Sequence, residues 1–131
     1  MKKYSLVILF LFSAGCTVVT RPSVRQMTNV ADVTLGSSRQ QVKGAVEGEV
    51  VIGYEKSDNA SGTFVPIKLK NPVRVEYLES AGKKYEVDYY FSQIKQADGD
   101  ITDDELTPLV FQNGVLISKS WDEFNKIKSN P

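Results

Sequence analysis

The chain has 131 residues, with 16 basic and 16 acidic side chains, one cysteine and no histidine. That length suits a single domain, and 41% hydrophobic with 24% charged residues is an ordinary globular composition. The charge balance gives no basic face for nucleic acid, one cysteine rules out an internal disulfide, and without histidine the usual proton shuttle and the commonest metal ligand are missing.

Lys2 and Lys3 open the chain with positive charge, Leu6 to Phe12 form an apolar run, and Ser13, Ala14 and Gly15 are small residues before Cys16. The run is far shorter than the ~20 residues a spanning helix needs, so residues 1–15 read as an export signal. The small residues ending in cysteine resemble the lipobox of bacterial lipoproteins, with Ser13 where leucine is usual. The resemblance implies cleavage between Gly15 and Cys16 and a covalent lipid on the Cys16 sulfur, which also accounts for a lone thiol in an exported protein. One acyl chain binds marginally, at ~0.8 kcal/mol per buried methylene, so the two or three implied chains make a stable anchor. Thr17 follows the cysteine where aspartate usually signals inner-membrane retention. By that resemblance the chain is expected on the outer membrane, facing the periplasm. No other cofactor is expected.

Residues 16–32 are polar, carry Pro22 and show no clear period, so they read as a tether. Extended, it reaches on the order of 45–50 Å. A domain is expected over 33–131. Ser38 with Gln41 is a capping-box pattern. Val42, Ala45 and Val46 make one apolar stripe on a short helix that Gly48 can end. Val50, Val51, Ile52 and Tyr54 read as a strand or short apolar element, and residues 57–62 as a loop. Pro66 to Asn71 suits an edge strand, guarded by Lys68 and Lys70 or open to a partner strand. Val73, Val75 and Tyr77 alternate with Arg74 and Glu76, and Tyr85, Val87, Tyr89 and Phe91 alternate with Glu86, Asp88 and Tyr90. A three-residue turn at Ser80–Gly82 would pair Tyr77 with Tyr85 and Val75 with Val87, placing Arg74 opposite Asp88 and Glu76 opposite Glu86. Asn113-Gly114 between apolar runs predicts a second hairpin. Ser120 with Glu123 caps a last helix, with Trp121, Phe124 and Ile127 as its packing stripe. The expected class is α+β, two-layered, with an antiparallel sheet of four or five strands and short helices on one face.

The run Leu35-Gly36-Ser37-Ser38-Arg39-Gln40-Gln41-Val42 resembles the helix-entry motif of the SmpA/OmlA (BamE-like) outer-membrane lipoproteins. Tyr85 to Phe91 and Phe111 to Leu116 are similar to that family's aromatic strand and late turn. Glu49 and Val50 stand where the family has proline after its helix. The resemblance covers about 34–118. It implies a helix-plus-sheet fold, no catalytic residues and a scaffolding role in outer-membrane protein assembly.

The acids Asp98, Asp100, Asp103, Asp104 and Glu105 are the one site-like cluster. Asp98-Gly99-Asp100 suggests half of an EF-hand loop, but Ile94 would fall at the first ligand position. The cluster therefore stands as a candidate for weak, irregular cation binding, beside the plainer reading of a solvated loop. No histidine activates a serine, the only thiol is taken by lipid, and no carboxylate pair has a cleft, so no enzyme is expected. Tyr90, on the face opposite Tyr89 and Phe91, and Trp121 are candidate interaction residues. The expected function is a membrane-anchored protein-interaction or scaffold module with an envelope protein as partner. The alternative is a small ligand- or calcium-binding lipoprotein.

Overall fold

The computed structural model describes residues 30–59 and 61–130. The expected leader, the Gly15–Cys16 cleavage site and the tether as far as residue 29 lie outside the described residues. A single 3₁₀ turn, Val30–Asp32, opens the described chain, and its end is held by Lys119, whose Nζ donates to the carbonyls of Ala31 and Val33. Helix α1 spans Arg39–Val46. Its start follows from the capping box: the Ser38 hydroxyl accepts from Gln41 N–H at 3.2 Å, and the Gln41 side chain accepts from Ser38 N–H at 2.9 Å. Gly44 costs this helix up to ~1 kcal/mol. Burial of Val42 and Val46, at ~1.5–3 kcal/mol each, outweighs it.

Strands β1 (Gly48–Lys56) and β2 (Phe64–Asn71) pair antiparallel as a separate two-stranded ribbon, with a bulge between Val51 and Gly53. Strands β3 (Arg74–Ser80), β4 (Lys83–Phe91), β5 (Leu106–Gln112) and β6 (Val115–Ser118) form a four-stranded antiparallel sheet in that order. A 3₁₀ turn at Asp103–Glu105 precedes β5. Helix α2, Trp121–Ser129, starts at Ser120, whose hydroxyl accepts from Glu123 N–H. The fold is α+β with strands predominating, as expected.

The sheet is buried on both faces. Tyr85, Val87, Tyr89 and Phe91 pack with Val110, Leu106, the ribbon residues Val50 and Ile52, and Phe124 of α2. Tyr90, Leu109, Phe111 and Leu116 point the other way, into Val42 and Val46 of α1 and Val30 and Val33. The two helices therefore lie on opposite faces instead of sharing one. Consecutive apolar residues at 89–91 and 109–111 require this, because a strand with no polar face must be covered twice.

One hairpin register differs from expectation. Ser80 pairs with Lys83, so Ala81-Gly82 is a two-residue turn with φ of 50° and 71°. Leu78 then meets Tyr85, Tyr77 meets Glu86 and Val75 meets Asp88. A one-residue slip exchanges faces for the whole strand. Val75 and Tyr77 move to the α1 side, and Leu78 takes the place expected for Tyr77. The Asn113-Gly114 hairpin forms as expected, with φ of 51° and 75°.

Candidate functional site

Arg39 is the first residue of α1 and points across the sheet. Its Nε and Nη2 donate to the two Asp88 carboxylate oxygens at 3.0 and 2.7 Å, and Nη1 lies 2.6 Å from Glu86 Oε2. Asp88 has no exposed surface, whereas 22% of the Arg39 side chain is exposed. A two-pronged guanidinium–carboxylate pair fixes orientation as well as distance. Hydrogen bonding to Asp88 holds the guanidinium well above its ordinary pKa, with the charges of Asp88 and Glu86 and the Tyr77 hydroxyl adding to the effect against the opposing pull of burial. The pair clamps the start of α1 over β4.

Helix α1 packs over Tyr90 of β4, Leu109 and Phe111 of β5 and Leu116 of β6, and the same face of β3 is left open together with Lys84 at the start of β4. Tyr77 is 70% exposed and Val75 41%. Beside them a groove of about 410 Å³ is lined by Tyr77, Lys84, Glu86, Phe111 and the Asn113-Gly114 turn. The adjoining β3 edge has no paired strand among the described residues. Elsewhere the edges are managed. The β6 edge is bonded by residues 36–39 through Gly36 N–H to Leu116 O and Leu116 N–H to Ser37 O. A bridge from Gly53 to Asp98 meets β1, and β2 carries Pro66, Lys68 and Lys70, which discourage pairing. On β3 two of the three charges are engaged sideways. Arg74 lies 4.0 Å over the Tyr89 ring and Glu76 accepts from the Tyr89 hydroxyl at 2.6 Å. Burial and then Glu76 push the Tyr89 hydroxyl up to about 12.

A family model described as proteins of unknown function (DUF3192) matches residues 22–126. The chain belongs to the DUF3192 family. No curated protein and no solved structure matches it. The DUF3192 match takes in the Arg39 clamp and the open β3 strip, and it begins within the segment expected to be tether.

The residues singled out from sequence fall differently. Cys16 and Gly15 lie outside the described residues. Tyr90, expected as an exposed contact, is fully buried in the α1-side core, and its hydroxyl has no hydrogen-bond partner among the described residues. Burial, then the charges of Asp88 and Glu47, push that hydroxyl well up from its ordinary pKa. Trp121 is half-buried: its Nε1 donates to Leu106 O at 2.8 Å and its ring packs against Tyr89 and Phe124.

Four of the five acids, Asp98, Asp100, Asp104 and Glu105, line one small pocket with Lys95, and Asp103 lies apart from it. Glu105 is buried and accepts from the backbone N–H groups of Lys95 at 2.8 Å, Thr102 at 3.1 Å and Gln96 at 3.3 Å. Those bonds, Lys95 first, hold its carboxyl below the usual carboxylate range. Asp98 accepts from Asp100 N–H, Asp104 from the Thr102 hydroxyl, and Asp103 faces Arg74 at 3.5 Å. Among the described residues no three His, Cys, Asp or Glu side chains are grouped to hold a metal ion. Glu105 gathers the 92–105 loop, and Gly53 lets that loop sit on β1. A Cβ there would lie 3.0 Å from Gly99 N and 3.1 Å from Ala97 O.

Sequence reasoning placed Asp88 opposite Arg74 and missed its pairing with Arg39. One signal was present: a carboxylate flanked by Val87 and Tyr89 inside an apolar strand needs a cation. The clamp partner lies 49 residues away, beyond any local pattern.

Proposed function

We propose that this DUF3192 protein is a lipid-anchored, non-catalytic interaction module of the cell envelope, and that the open face and edge of β3 is its contact surface. The observation that carries the reading is Tyr77, which is 70% exposed on a strand edge that no described residue pairs with and that carries neither proline nor lysine. An unpaired row of backbone N–H and C=O groups next to exposed apolar side chains is a surface that recognises extended chain, and tyrosine is favoured in contact surfaces. The lipobox resemblance at Cys16 supports the anchor, and the helix-entry resemblance supports a scaffolding role.

The test places a photo-crosslinking amino acid at Tyr77 in cells, with Asp122 on the outer side of α2 as control. The expected result is one discrete adduct from position 77, absent from position 122 and lost in Cys16→Ser. Identical adducts at both positions, or none at 77, would remove the assignment of this surface.

A further inference from the structure

The inner half of the β1–β2 ribbon is fixed to the core by Val50, Ile52, Ile67 and Leu69. Its outer half is exposed throughout: residues 54–56 and 64–66 all face solvent. The register assigns the faces. Glu49 pairs with Lys70, Val51 with Lys68, Tyr54 with Pro66 and Lys56 with Phe64. The bulge at Ile52 keeps Tyr54 on the same side as Val51, so all these residues share the face turned away from the core. That face carries two exposed aromatics, Tyr54 at 60% and Phe64 at 71%. It also carries three lysines against one glutamate. Lys68 lies 3.8 Å from Glu49, Lys70 lies 3.7 Å from Glu47 beyond the ribbon, and Lys56 has no ion-pair partner among the described residues.

Aromatic rings interleaved with lysines on one exposed face fit the boundary of an anionic bilayer. Tyr54, a ring with a polar end, suits headgroup depth, Phe64 adds apolar surface, lysine stems lie along apolar surface with their ammonium in the polar layer, and anionic lipid attracts the cations. We infer that the outer face of the ribbon, through Tyr54, Phe64, Lys56 and Lys68, rests on an anionic lipid surface. The inference rests on the lipid anchor proposed above, which raises the effective concentration of the bilayer for a face this small.

The test uses the mature chain as purified from cell membranes, carrying Phe64→Trp and placed in vesicles of phosphatidylethanolamine with phosphatidylglycerol, or of phosphatidylcholine alone, each with brominated acyl chains. The wild type, with its single Trp121, supplies the background. Bromine quenching of the added tryptophan is expected in the anionic vesicles and weak in phosphatidylcholine. One lysine near an anionic surface changes partitioning about fivefold, and Lys56→Glu should weaken the contact by at least that factor. Both substituted side chains are exposed, and circular dichroism checks that the variants fold. Unquenched tryptophan in both vesicle types overturns the inference. Intact mass separates it from the anchor. An acylated chain with unquenched tryptophan overturns the contact and keeps the anchor, whereas an unmodified Cys16 with quenched tryptophan overturns the anchor and keeps the contact.

Discussion

Asp88 is a carboxylate closed off from water, and the cation bonded to it is Arg39. Removing one partner of such a pair leaves an uncompensated buried charge, which costs about 3–5 kcal/mol. Arg39→Ala is therefore expected to lower stability by about that amount in urea denaturation, and Arg39→Lys to recover only part of it, because an ammonium cannot bond both oxygens in a fork. Equal stability of wild type and Arg39→Ala would show that α1 does not depend on the clamp. Glu105 governs a different region. A carboxyl whose folded pKa lies below its unfolded value contributes stability above the unfolded pKa and loses it as pH falls through the folded one. The depression at Glu105 thus sets an acid-side loss, beginning near the ordinary carboxylate range and ending below it. Glu105→Gln should melt lower than wild type at pH 7, with the gap closing toward pH 3. A gap that does not change with pH would show that the charge is irrelevant. Neither residue could be singled out from sequence for its role. Five acids within eight positions look alike, and only the turn at Thr102 decides which one faces inward. The same limit applies to Tyr90, which alternation placed on a second face without showing that α1 buries it.

The two hairpins show where local chemistry is enough and where it is not. Asn113-Gly114 tolerates positive φ at both positions, so its turn and register follow from the residues themselves. Ala81-Gly82 adopts the same kind of turn although Ala81, at φ 50°, sits where a Cβ is disfavoured. Packing imposes that register: Leu78 reaches the α2 side of the sheet, and the single proton of the Ser80 hydroxyl is shared between the carbonyls of Ile127 and Asn130 at the end of α2. Both contacts are tertiary and cannot be seen in the hairpin sequence, which is why a three-residue turn was the natural expectation. The mismatch leads to a prediction. Ala81→Asn, which suits the left-handed region, is expected to stabilise the protein by ~0.5–1 kcal/mol, and Ala81→Val to destabilise it by more than ~1 kcal/mol. Thermal melts of both variants check this. Stabilisation by valine would mean that the turn is not the two-residue form. Helix α1 was closer to expectation, because its capping box and the buried pair Val42 and Val46 lie in a short run of residues, although Ala45 of the expected stripe is exposed and the helix stops at an extended Glu47 before Gly48 opens β1.

At the scale of the molecule, the division of the helices between two faces leaves two surfaces for two tasks. The β3 strip lies on the α1 side, and the lysine–aromatic face of the ribbon lies beyond the opposite core. Consecutive apolar residues in β4 and β5 foreshadow a sheet covered on both sides, but alternation alone does not say which helix covers which face. If one surface meets the bilayer and the other a protein partner, the segment proposed as a tether would set the distance available to the second. Deleting residues 18–27 removes about 33–36 Å of reach and leaves Cys16, Thr17 and the described domain in place. The shortened chain is expected to keep acylation and the lipid contact of the ribbon but to lose the Tyr77 crosslink. Replacing the same residues with glycine and serine at equal length should restore the crosslink, since a flexible linker of that composition spans comparable distances. The family match begins at residue 22, inside the replaced segment, so this comparison separates length from sequence. A crosslink that survives the deletion would place the partner at the membrane surface. A crosslink lost even in the glycine–serine chain would mean that residues 22–27 belong to the contact surface and do more than span the gap.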